Sequence, residues 1–124
     1  MANTLSPNQY LVPTGTPGLN QLISSDGRFT FVLQNDGNLV LYRTGFISPS
    51  GALWASGTNG KPVQMAVMQN DGNFVIYDRN HSPLWASNTS GRPRSYLVLQ
   101  NDGNVVIYQP NVPIWATNTA GRSI

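Results

Sequence analysis

The chain has 124 residues, of which 40% are hydrophobic, 10% aromatic and only 10% charged, with a net charge of +2 and no cysteine. This is one domain's length, enough to bury a core without crosslinks. The missing cysteines exclude a disulfide framework, a zinc–thiolate site, an iron–sulfur cluster and a cysteine nucleophile.

In chain order, Met1 to Leu11 carries neither a basic n-region nor an apolar h-region, so no signal peptide is expected. Either the chain enters no Sec pathway, which leaves cytoplasmic synthesis or non-classical release, or it is a mature chain with a start methionine added; the localisation is left open. Residues 1–24 read as an N-terminal arm with strands near Gln9 to Val12 and Leu19 to Ser24. A first unit follows over about 25–58. Phe29-Thr30-Phe31-Val32-Leu33 is a β-branched and aromatic run, and Asn35-Asp36-Gly37-Asn38 is a turn signal. Glycine takes positive φ without steric penalty, and Asn and Asp tolerate it. A second strand through Tyr42 is expected next, then a loop from Thr44 to Ala52, then a third strand carrying Trp54.

The unit recurs. Gln34-Asn35-Asp36-Gly37-Asn38-Leu39-Val40-Leu41-Tyr42 returns as Gln69-Asn70-Asp71-Gly72-Asn73-Phe74-Val75-Ile76-Tyr77, and again as Gln100-Asn101-Asp102-Gly103-Asn104-Val105-Val106-Ile107-Tyr108. Each copy is followed by Trp-Ala-Ser/Thr-x-Thr, beginning at Trp54, Trp85 and Trp115, a period of roughly 31 residues. The second and third units span about 61–89 and 92–119, and Tyr96-Leu97-Val98-Leu99 opens the third as a strand. Pro49, Pro62, Pro83, Pro93, Pro110 and Pro113 are expected between strands, where a missing N–H does no harm. No stretch shows a 3.6-residue period. The reading is an all-β single domain with a pseudo-threefold axis, nine repeat strands and about two from the arm. Trp54, Trp85 and Trp115 are assigned to its core. A β-trefoil is the alternative threefold fold, although its repeats usually run longer.

Gln34, Asp36, Asn38, Val40 and Tyr42 are spaced by two, as are Gln69, Asp71, Asn73, Val75 and Tyr77, and Gln100, Asp102, Asn104, Val106 and Tyr108. One continuous strand would place each set on one face. A hairpin, the preferred reading, would project Asp and Asn from the bend; both converge the five side chains. A carboxylate, two amides, a phenol and a small apolar surface can satisfy vicinal hydroxyls and a C–H face, as on a sugar ring. The same residues also suit plain turn chemistry, in which Asp and Asn bond their own backbone and Tyr plugs an interface. Each aspartate is alone in its patch, which disfavours glycoside hydrolysis by paired carboxylates and calcium binding, so neither enzyme nor metal is expected. His81, the only histidine, has no counterpart in the other units and is read as solvated. The six arginines and Lys61 are scattered rather than gathered in a stripe, so no nucleic-acid partner is expected. No apolar run approaches the ~20 residues of a membrane span, so no membrane insertion is expected. Asn80 and Asn88 stand in glycosylation sequons, relevant only in a eukaryotic secretory route.

At these residues the sequence resembles the monocot mannose-binding lectins, the snowdrop-bulb type, whose signature Gln-x-Asp-x-Asn-x-Val-x-Tyr all three copies match. The resemblance covers nearly the whole chain. It implies a β-prism II fold of three four-stranded antiparallel sheets, with one metal-independent, cofactor-free mannose site per sheet. By analogy, Asp and Asn of each copy would grip the axial 2-hydroxyl, Gln the 3-hydroxyl and Tyr the 4-hydroxyl, with Val against the ring carbons. Mannose and mannose-rich glycans are the implied partners. The implied assembly is a homo-oligomer, a dimer formed by exchange of C-terminal strands around Ile114 to Thr119. Plant members commonly carry a disulfide at positions corresponding to Gly37 and Gln64; its absence suits a bacterial, fungal or animal relative. Some bacterial relatives are receptor-binding parts of toxins, so a glycan-targeting or structural module with some sites inactive is the alternative function.

Overall fold

Each Gln-Asn-Asp-Gly-Asn run closes a tight hairpin in the computed structural model, which describes residues 2–45 and 51–121. In the first unit β4 (Phe29–Leu33) turns into β5 (Leu39–Arg43). The Gly37 N–H donates to the Gln34 carbonyl at 2.9 Å, and the Gln34 N–H donates to the Asn38 carbonyl at 2.8 Å. The same two bonds recur at Gly72 and Gly103. Only the glycine of each loop takes positive φ, at 93°, 95° and 88°. Asn and Asp of the loop do not need the left-handed region, so their side chains are available for other contacts.

Glycine is required here twice over. A Cβ at Gly37 would lie 2.6 Å from the Lys61 carbonyl oxygen, at Gly72 2.2 Å from that of Arg92, and at Gly103 2.8 Å from the Phe29 ring. Each hairpin tip is thus pressed by the start of another unit: loop one by unit two, loop two by unit three, and loop three by unit one.

The second and third hairpins are β7 (Val63–Met68) with β8 (Phe74–Asp78), and β10 (Tyr96–Leu99) with β11 (Val105–Gln109). Third strands follow: β6 (Ala52–Ala55), β9 (Pro83–Ala86) and β12 (Val112–Ala116). The arm supplies β1 (Thr4–Leu5), β2 (Tyr10–Leu11) and β3 (Gln21–Ile23). They join three antiparallel four-stranded sheets, ordered β3-β4-β5-β6, β2-β7-β8-β9 and β1-β10-β11-β12. This is the threefold all-β architecture that the repeats imply, in the prism form that the family resemblance implies.

Two expectations are corrected. The arm contributes three strands rather than two, because Thr4–Leu5 also pairs, closing the third sheet against Val98 and Leu97. Two residues are too few to show an alternating pattern. Pro83 and Pro113 lie within β9 and β12, not between strands. Both strands are sheet edges, and each proline directly precedes the extra residue of a register shift, a place where a missing N–H is tolerated. Of the expected Thr44–Ala52 loop, residues 46–50, Pro49 among them, lie outside the described residues.

The register shift itself recurs. Leu41 faces Trp54 but Tyr42 faces Ala52, leaving Leu53 as an extra residue, and Leu84 and Ile114 are the extra residues of the other units. A bulge of this kind lets two consecutive residues face inward. Leu53 is buried, while Leu84, Ile114 and the three tryptophans are partly buried against the core. The tryptophans meet edge to face around the axis, with centroids 5.4, 5.5 and 5.8 Å apart. Such pairs are worth about 0.5–1.5 kcal/mol each beyond their burial.

Candidate functional site

The outer face of each sheet brings its five signature residues together. In sheet one, Val40 and Tyr42 stand on β5, Gln34 at the end of β4, and Asp36 and Asn38 on the connecting loop. They line a pocket of about 340 Å³ together with Ala52, Ala55 and Asn59. Aspartate is exposed and glutamine and asparagine are half-buried in every copy. The valines are almost fully covered, Val40 and Val75 at 2% and Val106 at 3% exposure, forming the floor. Tyr77 and Tyr108 are half-buried, whereas Tyr42 is buried among Val32, Val40 and Ala52.

A hydrogen-bond chain orders the polar groups. The Tyr42 hydroxyl donates to Gln34 Oε1, which orients the amide so that Nε2 donates to the Asp36 carboxylate at 3.2 and 3.4 Å. Asp36 Oδ1 also accepts the Asn38 N–H at 2.9 Å. Tyr77, Gln69, Asp71 and Asn73 repeat these bonds, as do Tyr108, Gln100, Asp102 and Asn104. Burial raises the Tyr42 phenol above its ordinary pKa of 10.0, and the neighbouring Asp36 charge adds to the rise. The phenol therefore remains a proton donor throughout the neutral range.

The asparagine is held from the opposite side by residues to which sequence reasoning gave no role. Asn38 Oδ1 accepts from the Ser56 hydroxyl at 3.2 Å, the Gly57 N–H at 2.9 Å and the Thr58 N–H at 3.3 Å. Ser56 and Thr58 share a hydroxyl contact of 2.7 Å, and Thr58 Oγ1 donates to the Gly37 carbonyl at 2.6 Å. Ser87 and Thr89 hold Asn73 in the same way, and Thr117 and Thr119 hold Asn104. The variable residue of Ser/Thr-x-Thr is left-handed in every unit: Gly57, Asn88 and Asn118 have φ of 75°, 60° and 60°. Glycine and asparagine are the residues that adopt this conformation most readily. Strict recurrence of the hydroxyls was the signal available in the sequence.

After these internal bonds, the same groups are left over in each patch. Asn38 keeps both Nδ2 hydrogens, Gln34 one Nε2 hydrogen, Asp36 several acceptor lone pairs and Tyr42 its oxygen lone pairs. Two donors and two acceptors converge above an aliphatic floor. Adjacent sugar hydroxyls, each both donor and acceptor, are the complement. A larger cleft of about 450 Å³, lined in part by Pro13, Lys61 and Arg79, holds none of these five residues. What distinguishes the candidate patch is its chemistry rather than its size. Among the described residues, no three His, Cys, Asp or Glu side chains cluster as a metal ion would require. Asp26, whose pKa is lowered chiefly by its bond with Arg28, lies outside the patches and with Arg28 supports Asn101 at the third loop tip.

The threefold prism, with the same polar patch repeated on each sheet, is the architecture of the β-prism II lectins. No protein-family model matches the sequence, and a search of curated proteins finds no match. Solved structures do match. A lectin from Japanese Marasmius oreades is 35% identical, with a TM-score of 0.80, over 98% of this chain and 94% of its own. Monomeric monocot mannose-binding lectins from Gastrodia elata are 42% identical, with a TM-score of 0.79, over 96% of this chain and 99% of theirs. The mannose-specific agglutinin of snowdrop (Galanthus nivalis), complexed with methyl-α-D-mannoside, is 38% identical over 86% of this chain and 88% of its own, with a TM-score of 0.68. The chain belongs to the monocot mannose-binding, or bulb-type, lectin family, and it is a carbohydrate-binding protein rather than an enzyme.

Proposed function

We propose that this lectin recognises α-mannose and mannose-rich glycans, without metal, through three equivalent patches, acting as one bulb-type domain with units at about 25–58, 61–89 and 92–119. The observation that carries the reading is the identical set of donors and acceptors left in all three units after the internal bonds among the described residues. Asp and Asn of each patch would hold the axial hydroxyl, Gln and Tyr its neighbours, and Val the ring carbons. Four or five exposed hydrogen bonds of about 0.5–1.5 kcal/mol each, less the cost of ordering the ligand, correspond to an affinity on the order of millimolar. Three patches on one rigid body raise avidity on a dense glycan surface by about 10²–10⁴.

Calorimetric titration with methyl α-mannoside in the presence of a chelator tests this. Millimolar binding is expected, and silence at tens of millimolar refutes it. Asp36→Ala, Asp71→Ala and Asp102→Ala should each remove one of three binding equivalents. Loss confined to one of these variants would instead support the reading as a targeting module with inactive sites.

A strand-exchanged dimer remains a separate proposal. Supporting a closed single-chain prism instead are the in-chain pairing of β12 with β11 and the monomeric state named for the Gastrodia elata lectins. Light scattering decides between twice the chain mass and the chain mass.

A further inference from the structure

The three sheets present the same five residues but not the same edge. On each outer face the site valine belongs to a row of directly paired residues. Val40 faces Val32 and then Gln21; Val75 faces Val67 and then Tyr10; Val106 faces Val98 and then Thr4. Paired residues project from the same face of a sheet, so each row is a continuous strip of surface. Sheet two alone ends its strip in an aromatic ring.

Tyr10 is 49% exposed, one of three large hydrophobic side chains exposed among the described residues. Two strand spacings of ~4.8 Å put it roughly 10 Å from Val75. Val67 between them is a short aliphatic side chain and raises no wall. Beside the ring, Asn8, Gln9 and Leu19 help to form a recess of about 360 Å³. This edge is anchored to the strand that leads into the second site. The Asn8 N–H donates to the Met68 carbonyl at 2.6 Å and the Met68 N–H to the Gln9 carbonyl at 3.0 Å. Gln9 Oε1 accepts the Ser6 N–H at 2.8 Å, which leaves its amide hydrogens free. An aromatic face with amide donors and no charge suits a neutral ring bearing C–H and hydroxyl groups. Tyrosine offers such a face rigidly, with little conformational entropy to lose.

We infer that sheet two carries an extended site, in which Tyr10 stacks on a second sugar ring of a mannose oligosaccharide while Gln9 donates to one of its hydroxyls. This rests on the reading of Gln69 to Tyr77 as a mannose site, and it makes the three sites unequal for longer glycans while equal for the monosaccharide.

The test isolates sheet two with Asp36→Ala/Asp102→Ala. That protein should bind an α-linked mannotriose about three- to tenfold more tightly than methyl α-mannoside, the range an aromatic contact supplies. Adding Tyr10→Ala should lower the ratio toward one with monosaccharide affinity unchanged, and Tyr10→Phe should preserve it. A ratio that survives Tyr10→Ala, or that is equally large in Asp71→Ala, overturns the extended site and leaves the monosaccharide reading standing. Absence of methyl α-mannoside binding by the unsubstituted chain overturns both. In that same unsubstituted chain, the Tyr10 ring resonances should shift with mannotriose and not with methyl α-mannoside. Their staying still with mannotriose counts against the inference even if the double variant does not fold.

Discussion

The inner and outer faces of the three sheets are built to different tolerances. Inward, equivalent positions carry Phe31, Ala66 and Leu97, or Leu39, Phe74 and Val105, every one of them at 0% exposure. Outward, the five signature residues are identical three times. Apolar contacts ask only that volumes sum correctly, so a large ring in one unit can fill the space beside a small residue in another. Phe31 and Phe74, from different units, touch with centroids 6.5 Å apart. A hydrogen-bond relay has no such freedom, because each donor must meet its own acceptor at one distance and angle. On these two faces, the inward positions that vary mark packing by volume, and the outward positions that do not vary mark hydrogen-bond geometry.

The largest effect that separates the two faces is expected from Phe31→Ala. It should cost about 3–5 kcal/mol by leaving a cavity, read from denaturant unfolding, while the folded fraction still binds methyl α-mannoside at three sites. Thr58→Val attacks the outer geometry instead. It keeps the shape but removes the hydroxyl that bridges Ser56 and the Gly37 carbonyl, so a loss of about 1–2 kcal/mol is expected. The mark of its role is selectivity: calorimetry should register weakened binding at the first site and none of the loss at the other two. The smallest effect concerns pH. Tyr42 titrates higher when folded than when unfolded, so its contribution is complete below pH 10.0 and is lost as pH rises through the folded value. Unfolding midpoints measured above pH 10.0 should fall with pH, and less steeply in Tyr42→Phe.

The hairpins were legible in the sequence because their determinants are local. Gly37 needs positive φ, and β4 and β10 fill the runs Phe29–Leu33 and Tyr96–Leu99 that β-branched and aromatic residues mark out. The five-residue patch was legible as a convergence but not as a relay. The hairpin reading converges Gln34 and Tyr42 on one patch without saying that the phenol orients the amide. The Ser56–Thr58 grip on Asn38 joins the loop before β5 to the segment after β6, and no local rule specifies which hydroxyl meets which carbonyl. The prolines of β9 and β12 were misplaced for a related reason. Whether a missing N–H matters depends on whether the strand has a neighbour on that side, a property of the sheet and not of the segment.

The arm's pairings carry a consequence for how the molecule comes together. Gln21 meets Val32 nearby, Tyr10 reaches Val67, and Thr4 must reach Val98. The arm is thus laced through all three walls in reverse order, its earliest strand pairing with the wall farthest along the chain. Such distant partners make closure of the third wall a slow event in folding. Until it happens, the rim of β10 stays open and able to recruit a neighbouring molecule's strand.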